Sequence, residues 1–125
     1  MILDTCALLW LAEGGQRFSR RTFQAVQSSS ELRVSAISAF EVALKVHTGQ
    51  LKLPAPVAEW FDTVVANHGL IVLDLNRATC IRAAGLPMIH RDPCDRFIIA
   101  AAKNLDCEVV TSDERFTEYG VTTLI

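Results

Sequence analysis

Short apolar runs alternate along this sequence with longer segments whose apolar residues recur at helical spacing. This alternation is typical of a parallel sheet with helices packed on its faces. The predicted strands are residues 2–3, 32–35, 70–73, 108–111 and 122–124. The predicted helices lie near residues 7–12, 19–28, 39–48, 56–67, 78–83 and 93–105. We therefore expect an α/β fold whose ligands bind at the carboxyl ends of the strands.

Length and composition favour one domain over residues 1–125. The 125 residues are close to the commonest domain size, and half of them are apolar, which is enough for a buried core. No apolar run reaches the roughly 18–20 residues that a membrane-spanning helix needs. The first residues lack a basic stretch followed by a long apolar segment, so we predict no signal peptide and no association with a membrane.

The cysteines and the net charge argue against a disulfide-rich protein, a zinc-binding protein and a general nucleic-acid coat. The four cysteines (Cys6, Cys80, Cys94 and Cys107) are scattered among apolar neighbours, and none forms a CxxC pair. This pattern favours free thiols in a cytoplasmic protein over a disulfide scaffold or a zinc site. The formal charge of −2 argues against a general coat for nucleic acid but permits a localised basic surface.

Four acidic residues fall where the predicted topology gathers ligands. Asp4 and Asp113 each follow a predicted strand. Glu41 is placed in the first turn of the helix after the second strand, and Asp95 in the first turn of the helix that Asp92 opens. Because this winding brings strand ends and helix starts to one edge of the sheet, we expect the four carboxylates to converge.

Each of these acids, taken singly, also fits a helix cap. Ser38 and Glu41 have the spacing of a capping box, and Asp92 with Asp95 repeats that form. Helix caps need not converge, however, whereas four converging carboxylates repel one another. A divalent cation relieves this repulsion, and ligands made only of oxygen favour Mg²⁺ or Mn²⁺ over zinc. The residues therefore favour a metal centre.

The segments around these acids resemble a known family. They are Leu3-Asp4-Thr5, Ser38-Ala39-Phe40-Glu41, His90-Arg91-Asp92-Pro93-Cys94-Asp95-Arg96 and Thr111-Ser112-Asp113. In this order and spacing they are similar to the motifs of the PIN-domain family, and most of all to its VapC-like branch, the ribonuclease toxins of bacterial toxin–antitoxin pairs. The resemblance extends over essentially the whole chain.

The resemblance implies a three-layer domain with a central five-stranded parallel sheet flanked by helices. It also implies a Mg²⁺- or Mn²⁺-dependent endoribonuclease with a cognate antitoxin protein, usually a homodimer. The catalytic, metal-binding residues would be Asp4, Glu41, Asp95 and Asp113. Thr5 and Ser112 would be supporting hydroxyls, and Asp92 would support the site as a helix cap that reaches the metal through water. Arg115 stands where many relatives carry a further acid, so one firmly held metal is expected.

The reaction expected from such a site is hydrolysis of an RNA phosphodiester by metal-activated water, with Asp95 or Glu41 as the base. Candidate contacts to RNA phosphates are Lys45, Arg91 and Arg96. His90 is a further candidate for contact with RNA phosphates. Arg96 could instead form an ion pair within the protein. Arg17, Arg20 and Arg21 are interpreted as a solvated helix face.

The aromatic residues fall into two groups by their spacing. Five aromatic residues have the spacing of core or dimer-interface residues: Phe18, Phe23, Trp60, Phe61 and Phe97. Trp10 instead marks an apolar surface on which an antitoxin could dock.

The alternatives to a ribonuclease are a catalytically silent PIN-fold binding module and a single-strand DNA nuclease. An aspartate-based phosphoryl-transfer domain needs an adjacent acidic pair or DxD after the first strand, which Asp4-Thr5-Cys6 does not supply.

Overall fold

The computed structural model describes residues 1–125 and contains five strands, six α-helices and one 3₁₀ helix. The strands are β1 (Ile2–Leu3), β2 (Arg33–Ser35), β3 (Ile71–Leu73), β4 (Val109–Val110) and β5 (Thr123–Leu124). The α-helices are α1 (Thr5–Ala12), α2 (Arg20–Ser28), α3 (Ala36–His47), α4 (Val57–His68), α5 (Arg77–Gly85) and α6 (Pro93–Leu105). The 3₁₀ helix is Glu114–Tyr119, which the sequence did not predict. No helix has the length and apolar character needed to cross a membrane.

All five strands are parallel, in the order β3-β2-β1-β4-β5. β1 lies at the centre, with β2 on one side and β4 on the other. The strand order therefore reverses between β1 and β4, which makes their carboxyl ends the topological switch point of the sheet. The predicted five-stranded parallel sheet is confirmed.

Neighbouring residues of the central strands enter two different cores. Ile2 and Val109 pack with apolar residues of α5, α6 and the 3₁₀ helix on one face. Leu3 and Val110 pack with apolar residues of α1, α2, α3 and α4 on the other face. Because successive side chains of a strand point to opposite faces, even a two-residue strand contributes to both cores. Both faces of the sheet are covered, as predicted for a three-layer α/β fold.

Polar caps determine where the helices beside the sheet begin. Asp4 accepts a hydrogen bond from the amide of Ala7 at 2.7 Å, and α1 therefore begins two residues earlier than predicted. Asp92 accepts from the amide of Cys94 at 2.9 Å, and Pro93 occupies the first position of α6, where no amide proton is needed. The cap predicted for Asp92 is present.

Arg96 is buried beneath the loop that joins α5 to α6, with 7% of its surface exposed. Its guanidinium donates, at 2.8–3.4 Å, to the carbonyls of Ala83, Ala84, Leu86, Pro87 and His90. Both predicted roles of Arg96 are therefore wrong, because its donors are directed to backbone carbonyls and not to RNA or to a carboxylate. A planar cation with several donors satisfies the last carbonyls of α5 and the loop that follows.

We expect Arg96→Met to lower the free energy of unfolding by about 3 kcal/mol, because several buried carbonyls lose their donors. The exposed Arg82, which donates to Asn104 at 2.8 Å, offers a matched control. Arg82→Met should cost less than about 1 kcal/mol, since water replaces its partner. Urea unfolding of the two variants at one pH measures the difference. Equal losses would contradict a structural role for the Arg96 contacts.

Candidate metal centre

The four predicted acids reach the edge formed by the carboxyl ends of the central strands. Asp4 directly follows β1, and Asp113 lies three residues after β4. Glu41 lies on α3, the helix that follows β2 without a loop, and Asp95 lies in the first turn of α6. The charges of Asp4, Glu41 and Asp113 all act on Asp95 and raise its pKa. The fold thus brings four distant parts of the sequence to one edge.

The start of α3 differs from the sequence prediction. Its cap is Ser35, whose hydroxyl accepts a hydrogen bond from the amide of Ile37 at 3.2 Å. The predicted capping box is therefore wrong: Ser38 is buried within the helix, and Glu41 lies in the second turn. Because Glu41 is not needed as a cap, its carboxylate is free to face the acidic edge.

Glu41 is held by a hydroxyl from another helix. The Thr5 hydroxyl donates to Glu41 Oε1 at 2.8 Å, and its oxygen lies 2.9 Å from Ser38 Oγ. Lys45, one turn further along α3, places Nζ 4.0 Å from Glu41 Oε2. Thr5 therefore lies where a supporting hydroxyl was predicted and links α1 to α3 at the site.

Asp4 combines a helix cap with a buried position, since only 6% of its surface is exposed. Burial raises its pKa, and the negative charges of Glu41 and Asp113 raise it further. Hydrogen bonds from the Thr111 side chain and the amide of Ala7 act in the opposite direction. Capping alone does not explain an acid held where its charge is unfavourable.

Asp95 shows the strongest electrostatic strain at this edge. Burial first, and then the negative charges of Asp92, Glu41, Asp4 and Asp113, together raise its pKa to about 7. In the absence of a cation this carboxyl group therefore holds its proton to a much higher pH than an exposed aspartate does. A divalent ion beside it would favour the charged form.

Asp113 has the opposite environment. Arg115 donates to it through its backbone amide (3.0 Å), through Nε (3.1 Å) and through an Nη nitrogen (2.9 Å). These hydrogen bonds, led by those of the Arg115 side chain, lower the pKa of Asp113 to about 2. Arg115 therefore places a positive charge beside Asp113. This is the residue that stands where many relatives carry a further acid, which is why the sequence predicted a single metal.

His90 lies between two of the acids and was assigned the wrong role from the sequence. It is 2% exposed, so it does not contact phosphate from the surface. Its Nε2 lies 2.7 Å from Asp95 Oδ2 and 3.0 Å from Asp113 Oδ2. The ligand atoms of these three residues lie within 4.8 Å of one another, whereas Asp4 and Glu41 lie outside this compact group.

The remaining predicted residues are spread around the edge. Ser112, predicted as a supporting hydroxyl, is exposed, whereas the neighbouring Thr111 is buried and its hydroxyl accepts from the amide of Asp113 at 3.0 Å. Nothing in the sequence distinguished Thr111 from Ser112 except its place at the end of a buried strand. Arg91 is exposed and Lys45 is half-buried, so both remain candidates for contact with RNA.

The donor set at this edge fits a hard divalent cation. Carboxylates from four segments of the chain lie close enough to act on one another electrostatically, and burial leaves two of them, Asp4 and Asp95, with raised pKa values. Mg²⁺ and Mn²⁺ prefer oxygen ligands, and either would remove the cost of keeping these groups charged. The one nitrogen nearby belongs to His90, whose ring is already hydrogen-bonded on both sides.

Comparison with known proteins agrees with this fold. The model of the PIN domain family matches residues 1–121. The chain is 31% identical over 120 residues to Ribonuclease VapC22 of Mycobacterium tuberculosis (strain ATCC 25618 / H37Rv), covering 95% of this chain and 91% of that protein. This identity confirms the predicted relationship to the VapC-like branch.

Solved structures give the same fold at lower identity. The chain from FitAB bound to the IR36 DNA fragment superposes with a TM-score of 0.68 at 19% identity, covering 98% of this chain and 92% of that one. The chain from VapBC2 of Rickettsia felis, bound to a promoter DNA fragment, gives 0.69 at 14% identity, covering 98% and 96%. The family match over residues 1–121 and the 31% identity to the M. tuberculosis protein establish that the chain belongs to the PIN domain family.

Proposed function

We propose that this chain is a divalent-metal-dependent endoribonuclease and the toxin of a toxin–antitoxin pair, acting in the cytoplasm. The observation that carries the proposal is the convergence of four carboxylates at the switch point of the sheet, where burial and repulsion raise the pKa of Asp95 to about 7. The name of the M. tuberculosis relative, a ribonuclease, supports the reaction class. A toxin–antitoxin complex from Klebsiella pneumoniae, similar in fold, supports the partner.

The residues proposed to hold Mg²⁺ or Mn²⁺ are Asp4, Glu41, Asp95 and Asp113. When bound, the ion would lower the pKa of a water molecule and offset negative charge on the phosphodiester. Thr5 orients Glu41, and Asp95 or Glu41 would accept the proton of the attacking water. Attack of that water on phosphorus, with the P–O3′ bond broken and the leaving O3′ protonated, would leave a 5′-phosphate and a 3′-hydroxyl. Exposed Arg91 and half-buried Lys45 would hold the RNA backbone.

The proposed partners have candidate surfaces close to the acids. Trp10 packs edge-on against Phe18, with ring centroids 5.6 Å apart, in a closed apolar patch beside Asp4. An antitoxin segment packed over the half-buried Trp10 would cover the acidic edge. Phe40 and Leu44, one turn apart on α3, are 57% and 47% exposed, which supports a homodimer formed through this helix.

We expect purified protein to cut a mixed cellular RNA pool into discrete products with Mg²⁺ or Mn²⁺ and to cut nothing in EDTA. Asp4→Asn should retain the helix cap, because asparagine caps as well as aspartate. It should nevertheless reduce cleavage roughly a hundredfold or more, as the loss of a key electrostatic group does in other active sites. Mapping of the product ends should give 5′-phosphates.

The exposed Asp62 on α4 provides the matched control, since Asp62→Asn makes the same change away from the acids and should leave cleavage intact. Full activity of Asp4→Asn would remove the acids from the mechanism. Folded wild-type protein that cuts no RNA with either metal would favour a silent binding module. Cleavage of single-stranded DNA in place of RNA would favour the DNA nuclease.

Asp95 also predicts how stability depends on pH. The folded protein binds the Asp95 proton more tightly than the unfolded chain does. The protonated Asp95 therefore contributes its full share to the free energy of unfolding below about pH 4, and this contribution is lost as the pH rises toward 7. Metal-free protein should therefore lose on the order of 2 kcal/mol of unfolding free energy between pH 5 and 8 through this group. Asp113, with a pKa near 2, acts only below this window.

Urea unfolding in EDTA at pH 5 and pH 8 measures this loss. Asp95→Asn should lose less stability across the window than wild type, and saturating Mg²⁺ should reduce the loss in wild type. Asp62→Asn should keep the wild-type dependence. The same pH dependence in wild type and Asp95→Asn would show that Asp95 is not electrostatically strained.

A further inference from the structure

The backbone and the ring of His90 are both fixed by contacts with neighbouring side chains. Its backbone amide donates to the Tyr119 hydroxyl at 2.6 Å, and that hydroxyl donates to the carbonyl of Pro87 at 2.8 Å. Arg96 donates to the same carbonyl at 2.8 Å and to that of His90 at 3.4 Å. Phe116 packs edge-on against the imidazole, with ring centroids 6.1 Å apart. The ring therefore has one position relative to α6 and the 3₁₀ helix.

The two nitrogens of this ring have different roles. Nδ1 accepts a hydrogen bond from the amide of Asp92 at 3.2 Å, so Nδ1 carries no proton. In the neutral ring the proton is then on Nε2, which faces Asp95 and Asp113 at 2.7 and 3.0 Å. The Asp92 amide thus selects the tautomer that donates to Asp113.

We propose that His90 is a positioning residue, which donates from Nε2 to Asp113, keeps that nitrogen 2.7 Å from Asp95 Oδ2 and so holds these two carboxylates at the spacing that the metal site needs. This inference rests on the metal-dependent function proposed above. His90 joins α6 to the segment after β4, the two elements that carry these acids. It acts through the carboxylates and is not itself a ligand, because an Nε2 lone pair would require a proton on Nδ1 facing the Asp92 amide.

Two substitutions of His90 separate the roles of its nitrogens. Glutamine places an amide N–H where Nε2 lies and can still donate to Asp113 beside Asp95. Asparagine ends near the Nδ1 position, where it can accept from the Asp92 amide but does not reach the carboxylates. Both keep a neutral polar side chain in the loop, so a merely structural role predicts similar behaviour of the two.

The first readout is Mn²⁺ affinity, measured by calorimetry on the full chain. His90→Asn should bind Mn²⁺ at least tenfold more weakly than wild type, the usual effect of losing a partner of a metal ligand, and His90→Gln should recover most of that loss. Arg115→Gln serves as a reference, since it removes other donors to Asp113 without touching Asp95. Equal affinities of wild type, His90→Gln and His90→Asn would overturn the proposal.

The second readout uses protein labelled with ¹⁵N-histidine. Nitrogen NMR of the metal-free wild type should show His90 protonated on Nε2 and not on Nδ1, a result that needs no variant to fold. Pulsed EPR of bound Mn²⁺ should show no directly coordinated imidazole nitrogen. A proton on Nδ1, or a coordinated nitrogen, would overturn the positioning role. Wild-type protein that binds no Mn²⁺ would instead overturn the proposed function.

Discussion

The constraint on which this site depends is the burial of mutually repelling carboxylates at the carboxyl edge of the sheet. The parallel topology creates this repulsion, because it places the ends of β1, β2 and β4 side by side and leaves Asp4 and Asp95 partly or wholly buried. In water such charges would be screened, but here desolvation comes first among the causes that raise both pKa values. Burial and repulsion at this edge therefore cost stability when the acids are charged, and a bound cation would relieve the same cost.

The chain offsets only part of this repulsion. Arg115 neutralises Asp113, which keeps a pKa near 2, and His90 donates one hydrogen bond to Asp113 beside Asp95. The loop that carries His90 is tied down in turn by Arg96. The buried guanidinium of Arg96 thus supports the site indirectly, through backbone carbonyls. The charge left at Asp95 and Asp4 is the part that a metal would relieve.

The fold and the acids were predictable from the sequence because both follow from short patterns. Apolar runs and helical spacing predicted all five strands, and the strand ends identified Asp4 and Asp113. Contacts between distant segments were not predictable in this way. The burial of His90 and Arg96 depends on the loop after α5, and the true cap of α3 is Ser35 because that helix begins without a loop after β2. The capping-box spacing at Ser38 matched the pattern and was still wrong.

The central claim is that the four carboxylates take up a divalent cation, and anomalous diffraction from crystals grown with Mn²⁺ tests it most directly. We predict one strong anomalous peak at the carboxyl edge, within direct ligand distance of Asp4 and Asp95, and its loss in crystals of Asp95→Asn. Crystals saturated with Mn²⁺ that show no peak at this edge, or a peak bound only elsewhere on the surface, would contradict the claim.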